Sequence, residues 1–169
     1  EGKAFDEKRV MGPEEALIEL MWRTYYTSGF PVKLFRRTLM ERLRFSETDH
    51  YDDIGLIYRA FAQAKTVAYH GLPKYHIYRH EGNNSAWTTD HRLLTPKTLD
   101  EYLTAYRTRT AWLSGLFPDR TSTWRYFEWS FMLSMVEKIT QLKLVDGSPL
   151  RDLLTAALGM ELTRHFRGR

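Results

Sequence analysis

The chain has 169 residues, of which 43% are hydrophobic, 27% charged and 14% aromatic, a composition typical of a compact globular protein and not of a disordered or fibrous one. It contains no cysteine, which excludes disulfide bonds and thiolate chemistry. The net charge of +4 is small and spread along the chain, so nucleic acid is not an expected partner.

Three helices are predicted in the first part of the chain, after a polar arm at residues 1–11. Gly12-Pro13 followed by two glutamates is a helix start, so a helix is expected at about 13–26. Apolar residues at helical spacing predict a second helix over Lys33–Arg44, whose other face is basic, and a third over Asp52–Ala64.

Two short strands are predicted next. The β-branched and aromatic segments Thr66–Tyr69 and Lys74–Tyr78 flank the turn His70–Pro73, and we expect them to be edge strands of a small sheet. The residues from Glu81 to Leu94 include a run of turn-forming types and show no clear period, which favours a loop.

Three long helices are predicted to close the chain. Thr98–Glu101 has the pattern of a capping box for a helix near 96–116. Ser122 or Thr123 can cap a second helical run, and Ser148-Pro149 opens a third. The predicted fold class is therefore mostly α with a small β element (α+β).

The sharpest candidate for chemistry is the acidic pair Asp52-Asp53 at the start of the third predicted helix. At about 100° per residue, Asp53 falls roughly 40° from the centre of the apolar stripe and Asp52 about 140° from it. Asp53 therefore leans toward apolar surroundings, where burial and a neighbouring negative charge favour a proton acceptor. The alternative role for this pair is capping of backbone amides at the helix N-terminus.

Two basic residues are candidates for contacts with phosphate or with an acceptor. Arg79 is expected at a strand end beside a loop, where its planar guanidinium suits a diphosphate. Its alternative is a surface arginine that pairs with Glu81 or is solvated. Lys33 belongs to the basic helix face, which is usually solvated and occasionally faces phosphate.

Common cofactor motifs are absent from the sequence. It has no Gly-x-Gly-x-x-Gly, no Walker-type loop, no His-Glu-x-x-His and no Asp-x-Asp. The six histidines are scattered, so we expect no cofactor and no metal site within this chain.

A series of short motifs follows in order along residues 12–95: Tyr25–Thr27, Lys33–Arg37, Leu43–Phe45, Tyr51–Ile54, Ala64–Tyr69, Tyr75–Arg79 and Ser85. The series resembles the second half of family 2 glycosyltransferases. That family often shows a Lys-Leu-aromatic-Arg-Arg helix, a Phe, an aromatic residue followed by Glu-Asp, an Ala-x-x-Val-x-Tyr-like strand, and a Tyr-x-Tyr-Arg segment followed by Gly and Ser. The chain departs from the pattern at one place, where the usual Glu-Asp is Asp52-Asp53.

The resemblance implies a GT-A fold, in which a Rossmann-like first half binds a nucleotide sugar and presents an Asp-x-Asp metal motif. That half is absent from this chain. Residues 12–95 then correspond to the acceptor-side half, residues 96–169 to a helical extension, and residues 1–11 to an arm or a boundary. A divalent cation, Mg²⁺ or Mn²⁺, is compatible with the full-length enzyme.

Roles carried over from the family fall on four residues of this chain. Asp53 matches the catalytic base and Asp52 its acidic neighbour, while Arg79 and Lys33 are weaker candidates for contacts near the diphosphate or the acceptor. The implied reaction is an inverting transfer, of hexosyltransferase type, from a nucleotide sugar to a glycan or envelope-polysaccharide acceptor. The isolated chain is expected to be inactive, because nothing in it holds the donor.

The alternative to this enzyme is a noncatalytic helical module. Its C-terminal helices would bind a protein or a membrane surface, or form a homodimer, and the basic end Arg164–Arg169 suits an anionic surface. Single-stranded nucleic acid is disfavoured because the aromatic residues lie mostly at core-facing helical positions. No apolar run approaches the roughly 20 residues that cross a bilayer. The family resemblance implies a cytoplasmic enzyme, peripheral at the inner face of the membrane.

Overall fold

The computed structural model describes residues 6–45, 52–76, 78, 90–142 and 147–167. Within them the chain is mostly helical with one two-stranded antiparallel sheet, which confirms the predicted α+β class. The chain divides into two compact units, Glu1–Tyr78 and Arg79–Arg169. The division lies before the boundary that the sequence predicts after residue 95.

The first unit contains, in chain order, β1 (Lys8–Met11), α1 (Pro13–Trp22), α2 (Arg37–Met40), α3 (Asp52–Gln63) and β2 (Val67–His70). The second unit contains three long helices, α4 (Pro96–Leu116), α5 (Thr121–Gln141) and α6 (Gly147–Arg167), with short 3-10 turns at His91–Leu93 and Pro118–Arg120. No helix in the described ranges combines the length and the apolar character needed to cross a bilayer.

The sheet pairs two segments that are far apart in the sequence. β1 lies antiparallel to β2, with Arg9 opposite Tyr69 and Met11 opposite Val67. The expectation of a polar arm is therefore wrong for Lys8–Met11, because these residues form a strand. Met11 is only 2% exposed, and its burial stabilises the strand. The strand predicted over Lys74–Tyr78 is also wrong, since its described residues are not in a strand and β2 pairs with β1 instead.

Helices α1 and α3 pack together and form part of the core of the first unit. α1 starts at Pro13, as predicted, but ends at Trp22 because Arg23 adopts a left-handed conformation with φ of 56°. α3 confirms the prediction to within one residue of its end. The following side chains of the two helices are buried: Ala16, Leu17, Leu20, Ile54, Ile57, Tyr58 and Phe61.

The second predicted helix, Lys33–Arg44, is wrong in extent, because only Arg37–Met40 is helical. Arg36 has an extended backbone. Phe35, Met40 and Leu43 of this segment instead pack onto α3, where Leu43 joins Leu56 and Ala60 in a buried cluster, while Leu34 is exposed. Helical spacing of apolar residues here reflects that packing and not a continuous helix.

The three helices of the second unit share one core, with α5 packed against both α4 and α6. The buried members of this core are Leu99, Leu103, Met132, Met135, Ile139, Leu154 and Ala157. Two charged residues of these helices are also buried, Arg109 at 8% and Glu128 at 4% exposure. The guanidinium of Arg109 lies 4.2 Å from the ring centre of Tyr106, which stacks on Phe131 at 3.9 Å.

The helix starts of the second unit differ in detail from the predicted caps. Thr95, and not Thr98, is the cap of α4: its Oγ1 accepts from the Thr98 amide at 3.2 Å, and Thr98 Oγ1 accepts from the Thr95 amide at 2.9 Å. α5 starts at Thr121 without a side-chain cap, so the predicted caps at Ser122 and Thr123 are wrong. α6 starts at Gly147, next to the predicted Ser148-Pro149.

Candidate functional site

The candidate site lies in the first unit, where the loop of residues 23–36 reaches the start of α3. Tyr26 fastens the beginning of this loop. Its hydroxyl donates to the carbonyl oxygen of Ala16 in α1 at 2.7 Å, and its ring lies 5.3 Å from that of Phe61 in α3. Burial, with the negative charge of Glu19 as a second cause, raises the pKa of the Tyr26 hydroxyl, so it stays a neutral donor.

A second group of rings ties the loop to the sheet. Tyr25 lies 5.1 Å from Tyr69 of β2, measured between ring centres. The guanidinium of Arg9 from β1 lies 4.7 Å from the ring centre of Tyr25, a distance suited to a cation–π contact. The start of the loop is therefore held by both strands and by helices α1 and α3.

Phe30 anchors the middle of the loop through its packed ring and its main chain. Its ring packs against those of Phe35 at 5.4 Å and Phe45 at 4.9 Å, and it borders the cluster of Leu43, Leu56 and Ala60. Its carbonyl oxygen accepts from the amide of Lys33 at 3.0 Å, which closes a turn over Phe30-Pro31-Val32-Lys33.

The side chain of Lys33 folds back over this turn. Its Nζ donates to the carbonyl oxygen of Gly29 at 2.6 Å and also to that of Thr27. Burial lowers the pKa of Lys33 to about 8, and the carboxylate of Asp53 opposes this shift. The ammonium group is thus half-buried and engaged by main-chain oxygens.

Asp53 faces the same turn from α3. It is the second residue of the helix and is half-buried. Its Oδ1 accepts from the main-chain N–H of Phe30 at 3.4 Å, across 23 positions of sequence. A half-buried carboxylate in the first turn of a helix, which accepts from the Phe30 amide and acts electrostatically on the Lys33 ammonium, can accept a proton from a hydroxyl group within hydrogen-bonding distance.

The structure brings together two of the four predicted site residues, Asp53 and Lys33. Asp52 is the first residue of α3, and its side chain lies outside the described part of the chain. Arg79 lies outside the described residues altogether. Lys33 interacts with the protein's own backbone, an interaction that its predicted place on a basic helix face does not include.

Sequence reasoning misses Phe30 and Tyr26 as parts of the site. The segment Gly29-Phe30-Pro31 is predicted only to end a helix, although Gly and Pro on either side of an aromatic residue also indicate a tight turn around a packed ring. The contact of Tyr26 with Ala16 has no such signal, because it joins a loop hydroxyl to a main-chain oxygen.

Ligand-binding features are sparse in the part of the chain that the structure describes. There, no three side chains among Asp, Glu and His converge as metal ligands. Compared with known proteins, the chain has no significant match to a family model, a curated protein or a solved structure.

Proposed function

We propose that the chain is the acceptor-side half of a GT-A glycosyltransferase resembling family 2, and that Asp53 is its catalytic base. The observation that carries this proposal is the half-buried carboxylate of Asp53, which meets the Phe30 amide and lies near the ammonium of Lys33. The ordered motifs along residues 12–95 supply the reaction class.

The proposed reaction needs one proton acceptor beside the acceptor sugar. The oxygen of an acceptor hydroxyl attacks the anomeric carbon of a nucleotide sugar, and the bond from that carbon to the nucleoside diphosphate breaks. The hydroxyl proton moves to the carboxylate of Asp53. A base in this position contributes roughly 10²- to 10⁴-fold to the rate.

Other roles in this reaction are divided between this chain and a donor-binding half. Asp52 is the acidic neighbour of the base, and Arg79 contacts the diphosphate or the acceptor. The donor-binding half would hold the nucleotide sugar, together with any Mg²⁺ or Mn²⁺ that supports departure of the diphosphate. On this basis the isolated chain transfers no sugar.

Capping of the α3 amides is the competing role for Asp53. One of its carboxylate oxygens accepts from an amide of the loop, 23 positions earlier in the chain. A carboxylate that only capped its own helix would accept from amides two or three positions later. The observed contact therefore favours a carboxylate that faces the loop.

The test is Asp53→Asn in the protein made from the complete reading frame that encodes this chain, assayed for nucleoside diphosphate release from UDP- and GDP-hexoses with a glycan acceptor. We expect a loss of about 10²- to 10⁴-fold in turnover with little change in donor binding, because the change removes a proton acceptor and not a phosphate contact. Asp52→Asn should cost less.

The matched control is Asp152→Asn, because Asp152 is 73% exposed on α6 and should leave turnover unchanged. Equal losses from Asp52→Asn and Asp53→Asn, or no loss from Asp53→Asn, would assign the pair to capping. Turnover of a hexose donor by the purified 169-residue chain would contradict the division into two halves.

The second unit favours a second candidate, a noncatalytic helical module that forms a homodimer. Tyr126 and Leu133 lie seven positions apart on α5 and are 49% and 55% exposed. Leu153 and Met160 repeat this spacing on α6 and are 39% and 59% exposed. Residues seven apart share a helix face, so each of these helices has an exposed apolar face.

Sedimentation equilibrium tests the second candidate. A dimer that Leu133→Glu dissociates supports it, and a monomer at near-millimolar concentration excludes it.

A further inference from the structure

We propose that Lys33 is a positioning residue for the Asp53 carboxylate, a role that rests on the proposed function of Asp53 as the base. Lys33 holds the turn of residues 27–33 closed, and the closed turn presents the Phe30 amide to Asp53. In this role Lys33 acts through the backbone and does not itself touch the reacting atoms.

Three hydrogen bonds from Lys33 surround Phe30. Two come from Nζ, to the carbonyl oxygens of Thr27 and of Gly29, the latter at 2.6 Å. The third comes from the main-chain N–H of Lys33 to the carbonyl oxygen of Phe30 at 3.0 Å. The peptide group that carries the Phe30 amide is thus tied to Lys33 through the Gly29 carbonyl, and the next peptide group is tied to it through the Phe30 carbonyl.

The direction of the Phe30 amide follows from these ties. Its ring is fixed between Phe35 and Phe45, at 5.4 and 4.9 Å. With the ring and both neighbouring carbonyls held, the N–H points to Asp53 Oδ1 at 3.4 Å. Because this amide is a donor fixed by the loop, it selects one orientation of the carboxylate before any acceptor binds.

A positioning role fits the surroundings of Lys33 better than a direct phosphate contact. An ammonium group has three N–H donors, and main-chain carbonyls take two of them. A phosphate could take only the remaining donor, unless it drew the half-buried group away from these carbonyls, which would release the turn. Among the described residues, the carboxylate of Asp53 favours the charged form of the Lys33 ammonium.

The test uses nuclear magnetic resonance of the 169-residue chain and Lys33→Met, which keeps an unbranched apolar stem and removes the donors. The Phe30 amide should exchange with solvent about tenfold faster in this variant, as expected for the loss of one net hydrogen bond. The control is Lys65→Met, which alters an exposed lysine of the same unit and should leave Phe30 unchanged. Unchanged amides within α3 show that the fold is kept.

A double-mutant cycle separates positioning from a general effect on stability. In the parent chain, Asp53→Asn should shift the Phe30 amide resonance. In the Lys33→Met background the same change should leave that resonance in place, because the amide no longer faces residue 53. An equal shift in both backgrounds would overturn the role of Lys33.

A pH titration of the parent chain covers the case in which Lys33→Met does not fold. The carbonyl carbons of Thr27 and Gly29 and the amide of Phe30 should move with one midpoint, as the Lys33 ammonium loses its proton. A Phe30 amide that stays still while the two carbonyl carbons titrate would overturn the proposal.

These measurements do not depend on turnover. Sugar transfer that survives Asp53→Asn overturns the proposed function and, with it, the role of Lys33 in positioning a base. A Phe30 amide that is insensitive to Lys33 overturns the role of Lys33 alone.

Discussion

The hydroxyl of Tyr26 donates to the carbonyl oxygen of Ala16 at 2.7 Å, while the ring of Tyr26 rests on Phe61. One loop residue thus joins α1 to α3, the two helices that pack together in the first unit. Phe30 lies in the same loop as Tyr26, and Asp53 lies in α3. The strength of the Tyr26 contacts therefore affects the geometry of the whole candidate site.

Removing the hydroxyl in Tyr26→Phe should lower the free energy of unfolding of the first unit by about 1 kcal/mol, because one part-buried hydrogen bond is lost while the ring stays. Urea unfolding at neutral pH measures this. Tyr75→Phe is the control, since Tyr75 is 53% exposed. A loss no greater than that of the control would mean that the bond contributes nothing to stability.

The half-buried Lys33 should make the first unit more stable as the pH rises. Its pKa is lowered from 10.5 to about 8 in the folded chain. Between these values the unfolded chain binds more protons than the folded one, so the free energy of unfolding increases with pH. We expect a gain of about 1 kcal/mol between about pH 7.5 and 9.5, reduced by solvent screening at this partly exposed side chain.

Urea unfolding of the parent chain and of Lys33→Met across this pH interval checks the expected gain. The parent should show the rise and the variant should be nearly flat. The interval ends below the ordinary pKa of tyrosine, about 10, which keeps the opposite effect of Tyr26 out of the comparison. Parallel profiles for the two proteins would show that Lys33 is not the source of the rise.

The core of the second unit should be sensitive at Leu103. This side chain is 1% exposed in the cluster shared by α4, α5 and α6, so Leu103→Ala should cost about 2–5 kcal/mol through lost burial and a cavity. Leu133→Ala, at a position 55% exposed, should cost about 0.5 kcal/mol or less. Denaturant unfolding followed by tryptophan fluorescence compares them, and similar losses would contradict the assigned core.

The start of α4 should depend on Thr95. Thr95→Ala removes the acceptor of the Thr98 amide and should destabilise the second unit by about 1 kcal/mol. Thr104→Ala, at an exposed position within the same helix, should be neutral or slightly stabilising because alanine has the higher helix propensity. Thermal melts of both variants measure the contrast, which would vanish if Thr95 were not the cap.

The helices that sequence predicts well have their signals close together in the chain. α4 runs over Pro96–Leu116, as expected near 96–116, because a proline at its start and apolar residues at helical spacing lie within the element itself. α3 is predicted for the same reason. The sequence pattern places the cap of α4 at Thr98 instead of Thr95, since both threonines have side chains that can cap.

The elements that sequence misses depend on contacts between distant residues. Nothing local marks residues 8–11 as a strand, because their partner begins at Val67. Phe35, Met40 and Leu43 imitate a helical stripe, but their burial comes from packing against α3.

The candidate site also combines residues that the sequence indicates with contacts that it does not indicate. Asp53 and Lys33 could be selected because charged side chains are visible in a sequence. The Phe30 amide that joins them could not, because every residue except proline carries the same donor. The use of Lys33 as a backbone ligand also escapes prediction, since it depends on where the carbonyls of Thr27 and Gly29 point.

The ribbon of β1 and β2 has a practical consequence for anyone who shortens this protein. A version that starts at Gly12 would keep both packed helices but strip β2 of its neighbour along Val67–His70. Bare strand edges of this kind recruit other chains. Such a shortened protein should therefore aggregate when it is concentrated. The residues that precede α1 thus protect the chain against self-association.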